Sequence, residues 1–441
     1  MAEFNLLEHI RDNREDSIVV WLFNIGIEKY WNAGGAATIK DPLEDVVVNH
    51  IEEINLLITR KQDYIILRQK PDDIFLQKLQ DMGFEIPNFL IPTSCDEEKS
   101  ISEIVLRDAD ILQKLKMMTE TKDVYFVPYG VSGLEEEIAL KCGLRLIGGT
   151  NEKSRIVNNK IFSKQVAHDL NLPAAQDIVC NSINEIQDAY KCLIQEYSKI
   201  IIKMPCNSSG QGMWIVDSEA KLKMVCMIIN RLMKRDSRNN QWLVEGWIEK
   251  KLDLNLQVYV SENGYVETFS VKEQIIEETL YLGSITPPRL SKQQYQECVT
   301  YGEQIGRYLF SLGFSGVFGI DALVDNYERI VPIIEINGRF TLSTYISFIM
   351  ERYPDKYLYA FYKRGITNVP LDYQTVYGSL KENQMDFTGT RGIFAYNSAT
   401  INSKLASGHF RFFCIAVDDD FQSTKELADK MLDMCEGYNM N

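Results

Sequence analysis

One stretch constrains this chain more than any other: Val331-Pro-Ile-Ile-Glu335-Ile-Asn337-Gly338-Arg339, preceded by Val317-Phe-Gly-Ile-Asp321-Ala-Leu-Val324. Both runs read as strands, and Asp325-Asn326 supplies turn residues between them, so together they predict an antiparallel hairpin. Alternation along a strand puts Glu335 and Asn337 on one face, with Ile334 and Ile336 on the other. Folding the first run back on the second brings Asp321 next to Glu335. Two carboxylates and an amide oxygen then converge, with Arg339 just beyond. Such a hard, oxygen-rich set suits Mg²⁺, which takes one or two carboxylates and completes its shell with water and phosphate oxygens. A solvated hairpin face carrying acidic residues by chance explains the fragment equally well, so the rest of the chain has to decide.

With 441 residues there is room for two or three domains and a large core. A net charge of −15 argues against nucleic acid or an anionic membrane surface as the main partner. No apolar run is long enough to span a bilayer, and Met1-Ala-Glu-Phe-Asn lacks a basic-then-apolar signal pattern, so a cytoplasmic protein is expected. Nine cysteines without CxxC spacing read as reduced core thiols. The four histidines (His9, His50, His168, His409) lie far apart, and HExxH, GxSxG and GxxxxGK[ST] patterns are missing. Zinc hydrolysis and serine-triad chemistry therefore lose support.

In the first third, Ser17–Ile25, Tyr64–Leu67, Val124–Val127 and Leu144–Ile147 read as short strands, with helices over Asp72–Met82 and Leu134–Cys142. This alternation predicts an α/β layer on a parallel sheet. The turn Pro128–Gly133 could receive a phosphate, though a plain tight turn is the commoner meaning of such a sequence. Thr150–Leu170 reads as helical, and its Lys160 and Lys164 would ordinarily be solvated. Lys199–Met204 and the run ending at Val216 form a hairpin whose small-residue tip, Asn207–Gly212, can fold backbone N–H groups over a polyphosphate or simply be a loose tip. Lys203, flanked by Ile200–Ile202 and Met204, should sit at the loop mouth. Strands follow at Trp242–Ile248, Asp253–Val260 and Tyr265–Val271, then a helix over Ser291–Leu312. Helices are expected from Ser343 to Tyr362. Strands at Gly389–Tyr396 and His409–Val417 and a helix over Ser423–Cys435 make a small C-terminal α/β appendage.

Taken together, Lys160, Lys203 before a small-residue hairpin, Glu245 before a turn, Asp253, then Asp321 and Glu335-Ile-Asn337-Gly-Arg339 stand in an order and at intervals that resemble the ATP-grasp ligases. The resemblance covers roughly Thr150–Arg364. Phe23-Asn-Ile-Gly26, Trp31 and the domain layout are similar to a subgroup of antibiotic-pathway ligases of the pheganomycin peptide ligase kind. It implies an α/β chain in three parts: a pre-ATP-grasp domain over 1–150, an ATP-grasp domain of two α+β subdomains clasping ATP over 151–365, and the appendage over 366–441.

The resemblance also implies roles. Lys160 and Lys203 would hold nucleotide phosphates under a loop that includes Ser208, Ser209, Gly210 and Gly212. Glu245 would accept from the adenine amino group, with backbone around Trp247 and Ile248 at the ring edge, and Asp253 would take the ribose hydroxyls. Asp321, Glu335 and Asn337 would carry Mg²⁺, usually as two ions, while Arg339 with Lys203 would serve the transferred phosphoryl group. The implied activity is ADP-forming ligation of a carboxylate to an amine through an acyl phosphate, on an amino acid or peptide. The alternatives are a carboxylate–thiol ligase that loads an acyl carrier protein, and a nucleotide-binding regulatory module without turnover. A homodimer is compatible with either.

Overall fold

The structure, a computed structural model, describes residues 4–31, 42–206, 212–235, 241–277 and 279–438. Three sheets follow one another along the chain. The first is parallel throughout, with β1 (Ile18–Leu22), β2 (Tyr64–Ile66), β3 (Asn88–Leu90), β4 (Val124–Pro128) and β5 (Arg145–Leu146) in the order β3-β2-β1-β4-β5. This is the α/β layer that the alternation predicts, and apolar residues from both faces of its strands lie in separate cores. Its helices begin where side chains satisfy the free backbone N–H groups. Asp72 accepts from Ile74 and Phe75 N–H, and Ser132 and Glu135 form a reciprocal capping box.

A small antiparallel sheet comes next, with β6 (Asp177–Cys180), β7 (Ile200–Lys203), β8 (Met213–Val216) and β9 (Trp242–Gly246) in the order β6-β9-β7-β8. The large sheet holds β10 (Lys250–Val260), β11 (Val266–Glu277), β12 (Leu280–Thr286), β13 (Gly316–Asp325), β14 (Ile330–Asn337), β15 (Tyr357–Ile366), β16 (Gly392–Ala395) and β17 (His409–Asp418). Its order is β14-β13-β10-β11-β12-β15-β17-β16, antiparallel throughout. Helix Lys292–Ser311, started by a Ser291/Gln294 capping box, packs Cys298, Ile305 and Leu309 against one face of β10, β11 and β14.

Two local readings change. The predicted helix from Ser343 to Tyr362 is helical only over Leu342–Arg352, and Tyr357–Ile366 is strand β15, paired with β12 and β17. Pro354 disfavours helical backbone just before it, and the aromatic run Tyr357–Tyr362 suits a pleated surface. The single helix expected over Thr150–Leu170 is two, Asn151–Val157 and Lys160–Asp169. Asn159 breaks it by turning its side chain to accept from Ile161 N–H as an N-cap.

Strands β16 and β17 extend the large sheet, and their apolar residues share one core with the parallel layer, from Leu6 and Val19 to Phe410, Ile415 and Met431. All nine cysteines are free thiols, six of them buried. Among the described residues no helix is long and apolar enough to cross a membrane.

Candidate active site

Strands β13 and β14 pair so that Asp321 lies directly opposite Glu335 and Gly319 opposite Asn337, the convergence that the hairpin reading expects. The register shifts between Asp321 and Leu323, where Pro332 interrupts the ladder. The bulge upsets the expected alternation: Ile333 and Ile336 enter the core, whereas Ile334 lines a cleft beside Glu335 and Asn337. Gly338 permits the turn that follows, because a Cβ there would come within 2.7 Å of the Val157 side chain.

Asp321 accepts hydrogen bonds from Asn255 Nδ2 (2.9 Å), Gln274 Nε2 (3.0 Å) and Asn337 Nδ2 (3.1 Å). Burial, with the Glu335 charge as second cause, still pushes its carboxyl up to about 6. Because Asn337 spends its NH₂ on Asp321, its carbonyl oxygen is the end free to meet a cation. Among the described residues no three or more His, Cys, Asp and Glu side chains gather to hold a metal by themselves. Two carboxylates and an amide oxygen fit an ion that fills its remaining positions from phosphate and water, as Mg²⁺ does.

The row continues inward. Across β10 and β11, Asn255 is opposite Asp321 and Lys272 is opposite Asn255, so four strands contribute one polar residue each to a single line. Lys272 is fully buried and donates to Ser270 Oγ (2.5 Å) and Ser347 Oγ (2.6 Å). Burial pulls its pKa down to about 7, against the opposing charge of Glu351. An unfolded lysine titrates near ~10.4. Between those values the unfolded chain holds a proton the folded chain has released, so stability rises with pH across that window. Below it both states are charged and the folded state carries the whole burial penalty. Lys272→Met should therefore gain most stability relative to the parent below pH ~7, and the gain should shrink toward pH ~10. Denaturant titrations of both proteins at several pH values check this, and a difference that does not vary with pH would contradict it.

Facing this row across the cleft is β9. Glu245 is 2% exposed and takes Lys164 at Oε1 and Lys203 at Oε2, the latter at 2.6 Å. Lys160 and Lys164, expected on a solvated surface, are instead 2% and 1% exposed, and Lys203, at the end of β7, is 4% exposed. The helix break explains this. Asn159 puts Lys160 at the first helical position, where its N–H donates to Pro205 O (2.8 Å) and ties the helix to the end of β7. Lys160 Nζ then reaches Glu335 Oε1 at 2.6 Å, and one turn on Lys164 faces Glu245. Burial opposes the charged form of Glu245, yet the two ammonium groups overcome it and hold its pKa below the usual carboxylate range. Burial lowers the pKa of Lys164, against Glu245 and with the help of Lys203.

The cleft between the two sheets has a volume of ≈ 190 Å³, and Lys203, Glu245, Trp247, Ile248, Asp253, Asp321, Glu335 and Asn337 all line it. Asp253 pairs with Lys250 Nζ (2.7 Å), and Trp247 N–H donates to Lys199 O (3.0 Å). A larger hollow of ≈ 740 Å³ near Asp386, Arg391 and Lys430 contains none of these residues. Of the tip residues, Gly212 sits in the turn just before the return strand and its carbonyl accepts from Met204 N–H (2.8 Å), while Ser208, Ser209 and Gly210 lie outside the described residues. Arg339 does not line the cleft. Its guanidinium turns to the parallel layer, donating to Tyr129 OH (2.8 Å) and pairing with Glu28 (2.9 Å).

Two antiparallel sheets holding lysines and carboxylates against each other, behind a parallel α/β layer, define the ATP-grasp class. Residues 165–342 match the ATP-grasp domain and residues 53–144 the pre-ATP-grasp domain, and the chain belongs to the ATP-grasp ligase family. It is 27% identical over 335 residues, 74% of this chain and 73% of the relative, to the [butirosin acyl-carrier protein]–L-glutamate ligase of Niallia circulans. It is also 21% identical over 160 residues, 36% of this chain and 39% of the relative, to the N5-carboxyaminoimidazole ribonucleotide synthase of Bacillus subtilis (strain 168). Among solved structures, an ADP complex of an N5-carboxyaminoimidazole ribonucleotide synthetase matches with a TM-score of 0.56 at 14% identity, covering 99% of this chain and 100% of that one. The biotin carboxylase of Campylobacter jejuni matches with a TM-score of 0.61 at 13% identity, covering 95% and 92%. At these identities the structural matches establish the fold.

Proposed function

We propose that the protein is an ATP-dependent carboxylate–amine ligase working through an acyl phosphate, with an amino acid or peptide among its substrates. The observation that carries this reading is the single cleft into which Asp321, Glu335 and Asn337 project from one sheet, and Lys203 and Glu245 from the other. A carboxylate is a poor electrophile. Its oxygen attacks the γ-phosphorus of ATP, the bond from that phosphorus to the bridging oxygen breaks, and ADP leaves. The amine nitrogen then adds to the acyl carbon, loses a proton, and phosphate departs as the amide forms. Such transfers need positioning and charge neutralisation rather than a protein nucleophile.

In this scheme Lys160 and Lys203 neutralise phosphate oxygens, Lys164 shares Glu245 with Lys203, and Ser208, Ser209, Gly210 and Gly212 cover the phosphates. Glu245 accepts from the adenine amino group, and Asp253 takes the ribose hydroxyls. With Trp247 N–H already committed to Lys199, the ring edge falls to the backbone at Ile248. Asp321, Glu335 and Asn337 hold Mg²⁺, as two ions, which when bound would offset charge developing on the phosphates. The likeness to a butirosin-related ligase supports a place in secondary metabolism of the antibiotic kind.

The same relative favours a second reading, in which the acceptor is the thiol of a carrier protein and the product a thioester. One experiment tests both: ADP release is measured with a panel of acids, and hydroxylamine is added to trap the acyl phosphate as a hydroxamate. Acid-dependent hydroxamate is the expected result. No ADP above background with any acid would leave only a nucleotide-binding module. Replacing hydroxylamine with amines or with a phosphopantetheinylated carrier then separates amide from thioester.

Lys203→Met should weaken ATP binding by roughly 1.5–3 kcal/mol, the range for hydrogen bonds to charged groups. The sequence alone suggests an unchanged melting point. The burial of Lys203 against Glu245 changes that expectation, and the midpoint should fall as well. Calorimetric titration beside thermal unfolding reads both, and a lowered midpoint with unchanged affinity would make Lys203 purely structural.

A further inference from the structure

The parallel layer has its switch point between β1 and β4. In the order β3-β2-β1-β4-β5 the chain leaves β1 toward one side and β4 toward the other, and ligands of such sheets sit outside the carboxyl ends of those two strands. Here the two departing loops are braced against each other. Asn24 donates to Gly130 O (2.9 Å) and accepts from Gly130 N (3.1 Å), and Trp31 Nε1 donates to Val131 O (2.9 Å). Two opposite charges remain between them. Glu28 follows β1, and Arg339 enters from the end of β14, with Nη2 at 2.9 Å from Glu28 Oε1.

Tyr129, which follows β4, accepts from Arg339 Nη1 and lies under the guanidinium at 5.1 Å. Arg339 is 9% exposed, its Nε is buried without a hydrogen-bond partner, and the charges of Glu335 and Asp321 act on it. A buried guanidinium with an unspent donor, beside the carboxylate row, suits an incoming carboxylate. The Glu28 carboxylate next to it would be repulsive to a plain acid and attractive to one that also bears a cation.

Resting on the ligase reading above, we propose that Glu28 selects an acid carrying an ammonium group, so that the substrate activated here is a zwitterion of the amino-acid type held between Glu28 and Arg339. A zwitterion brings the same two charges in complementary order, and each protein group keeps a partner when the Glu28–Arg339 pair opens to admit it. A site whose buried charge would otherwise lack its partner rejects the analogue lacking that group strongly.

The test compares common L-amino acids with their des-amino counterparts, L-glutamate with glutarate and L-alanine with propionate among them, by ATP-dependent hydroxamate formation. The native protein should prefer the best amino acid over its des-amino partner by ~100-fold or more in kcat/KM. Glu28→Gln should cut that ratio at least ~10-fold, and Glu28→Asp should restore part of it. N-acetylation of the same amino acid removes the charge from the substrate side and should cost a similar factor, with no variant to fold. An equal loss for both acids in Glu28→Gln would overturn the proposal, because Glu28 would then only hold Arg339. Native turnover of des-amino or N-acetylated acids as fast as amino acids would overturn it while leaving the ligase reading standing. Hydroxamate from none of the acids defeats both.

Discussion

Replacing Glu335 with Gln is expected to lower acid-dependent ADP formation by at least ~100-fold, the scale of losing one strong stabiliser of transition-state charge. The substitution keeps the side chain's length and an acceptor oxygen for Lys160 Nζ, now 2.6 Å away, so the folded state should survive it. What it removes is one of the two negative charges in register across β13 and β14. Steady-state ADP release and a circular-dichroism melt on the same preparation check both halves. Turnover near that of the native protein would remove the carboxylate row from the chemistry. A collapsed melt would instead mark Glu335 as chiefly the counter-charge of Lys160.

The largest expected effect on stability comes from Glu245→Ala. The carboxylate is 2% exposed and serves two ammonium groups at once, so its loss leaves Lys164 and Lys203 buried without their counter-charge. Breaking a buried pair in this way costs about 3–5 kcal/mol. Glu249→Ala provides the contrast. Glu249 is half exposed and meets Lys199 at 3.2 Å, and such surface pairs contribute about 0–1 kcal/mol. Denaturant unfolding of the two variants should therefore separate them clearly, and added salt should affect only the Glu249 pair. Equal losses would mean that water reaches Glu245 as freely as it reaches Glu249.

The sequence carries the hairpin of β13 and β14 because its signal is local: two apolar runs, a turn, and carboxylates on the expected partners. The parallel layer is legible for the same reason. Other features depend on contacts far along the chain. Lys164 looks like any lysine on an amphipathic helix, and only the packing of that helix against β14, which sets Lys164 against Glu245 of β9, buries it. The break at Asn159 could have been noticed, since a polar pair, Asn158-Asn159, precedes a helical run and suits an N-cap. Asn255 and Gln257 stand as polar positions inside the otherwise apolar run Leu254–Val260, and that pattern was available as a sign of a buried polar row. Glu28 carried no signal at all, because its importance comes from Arg339, more than three hundred residues further on. The bulge at Pro332 likewise redirects Ile334 for reasons that only the register of its neighbour reveals.

The core shared by the two ends of the chain bears on how the protein comes into being during synthesis. Val19, Trp21 and Phe75 belong to a layer made early, yet they pack in one cluster with Phe410, Ile415 and Met431, which are made much later. Polar ties cross the same gap: Glu53 accepts from Ser398 N–H and Ala399 N–H, and Lys78 meets Asp386 at 2.7 Å. A nascent chain halted before β17 therefore holds a parallel layer with one apolar face bare, a surface that invites chaperones and aggregation. The small sheet and its helices close a core of their own and can mature on the ribosome. The middle can thus be finished while the parallel layer still waits for β17, so a stop codon placed before β17 should yield insoluble protein rather than a slightly shortened enzyme.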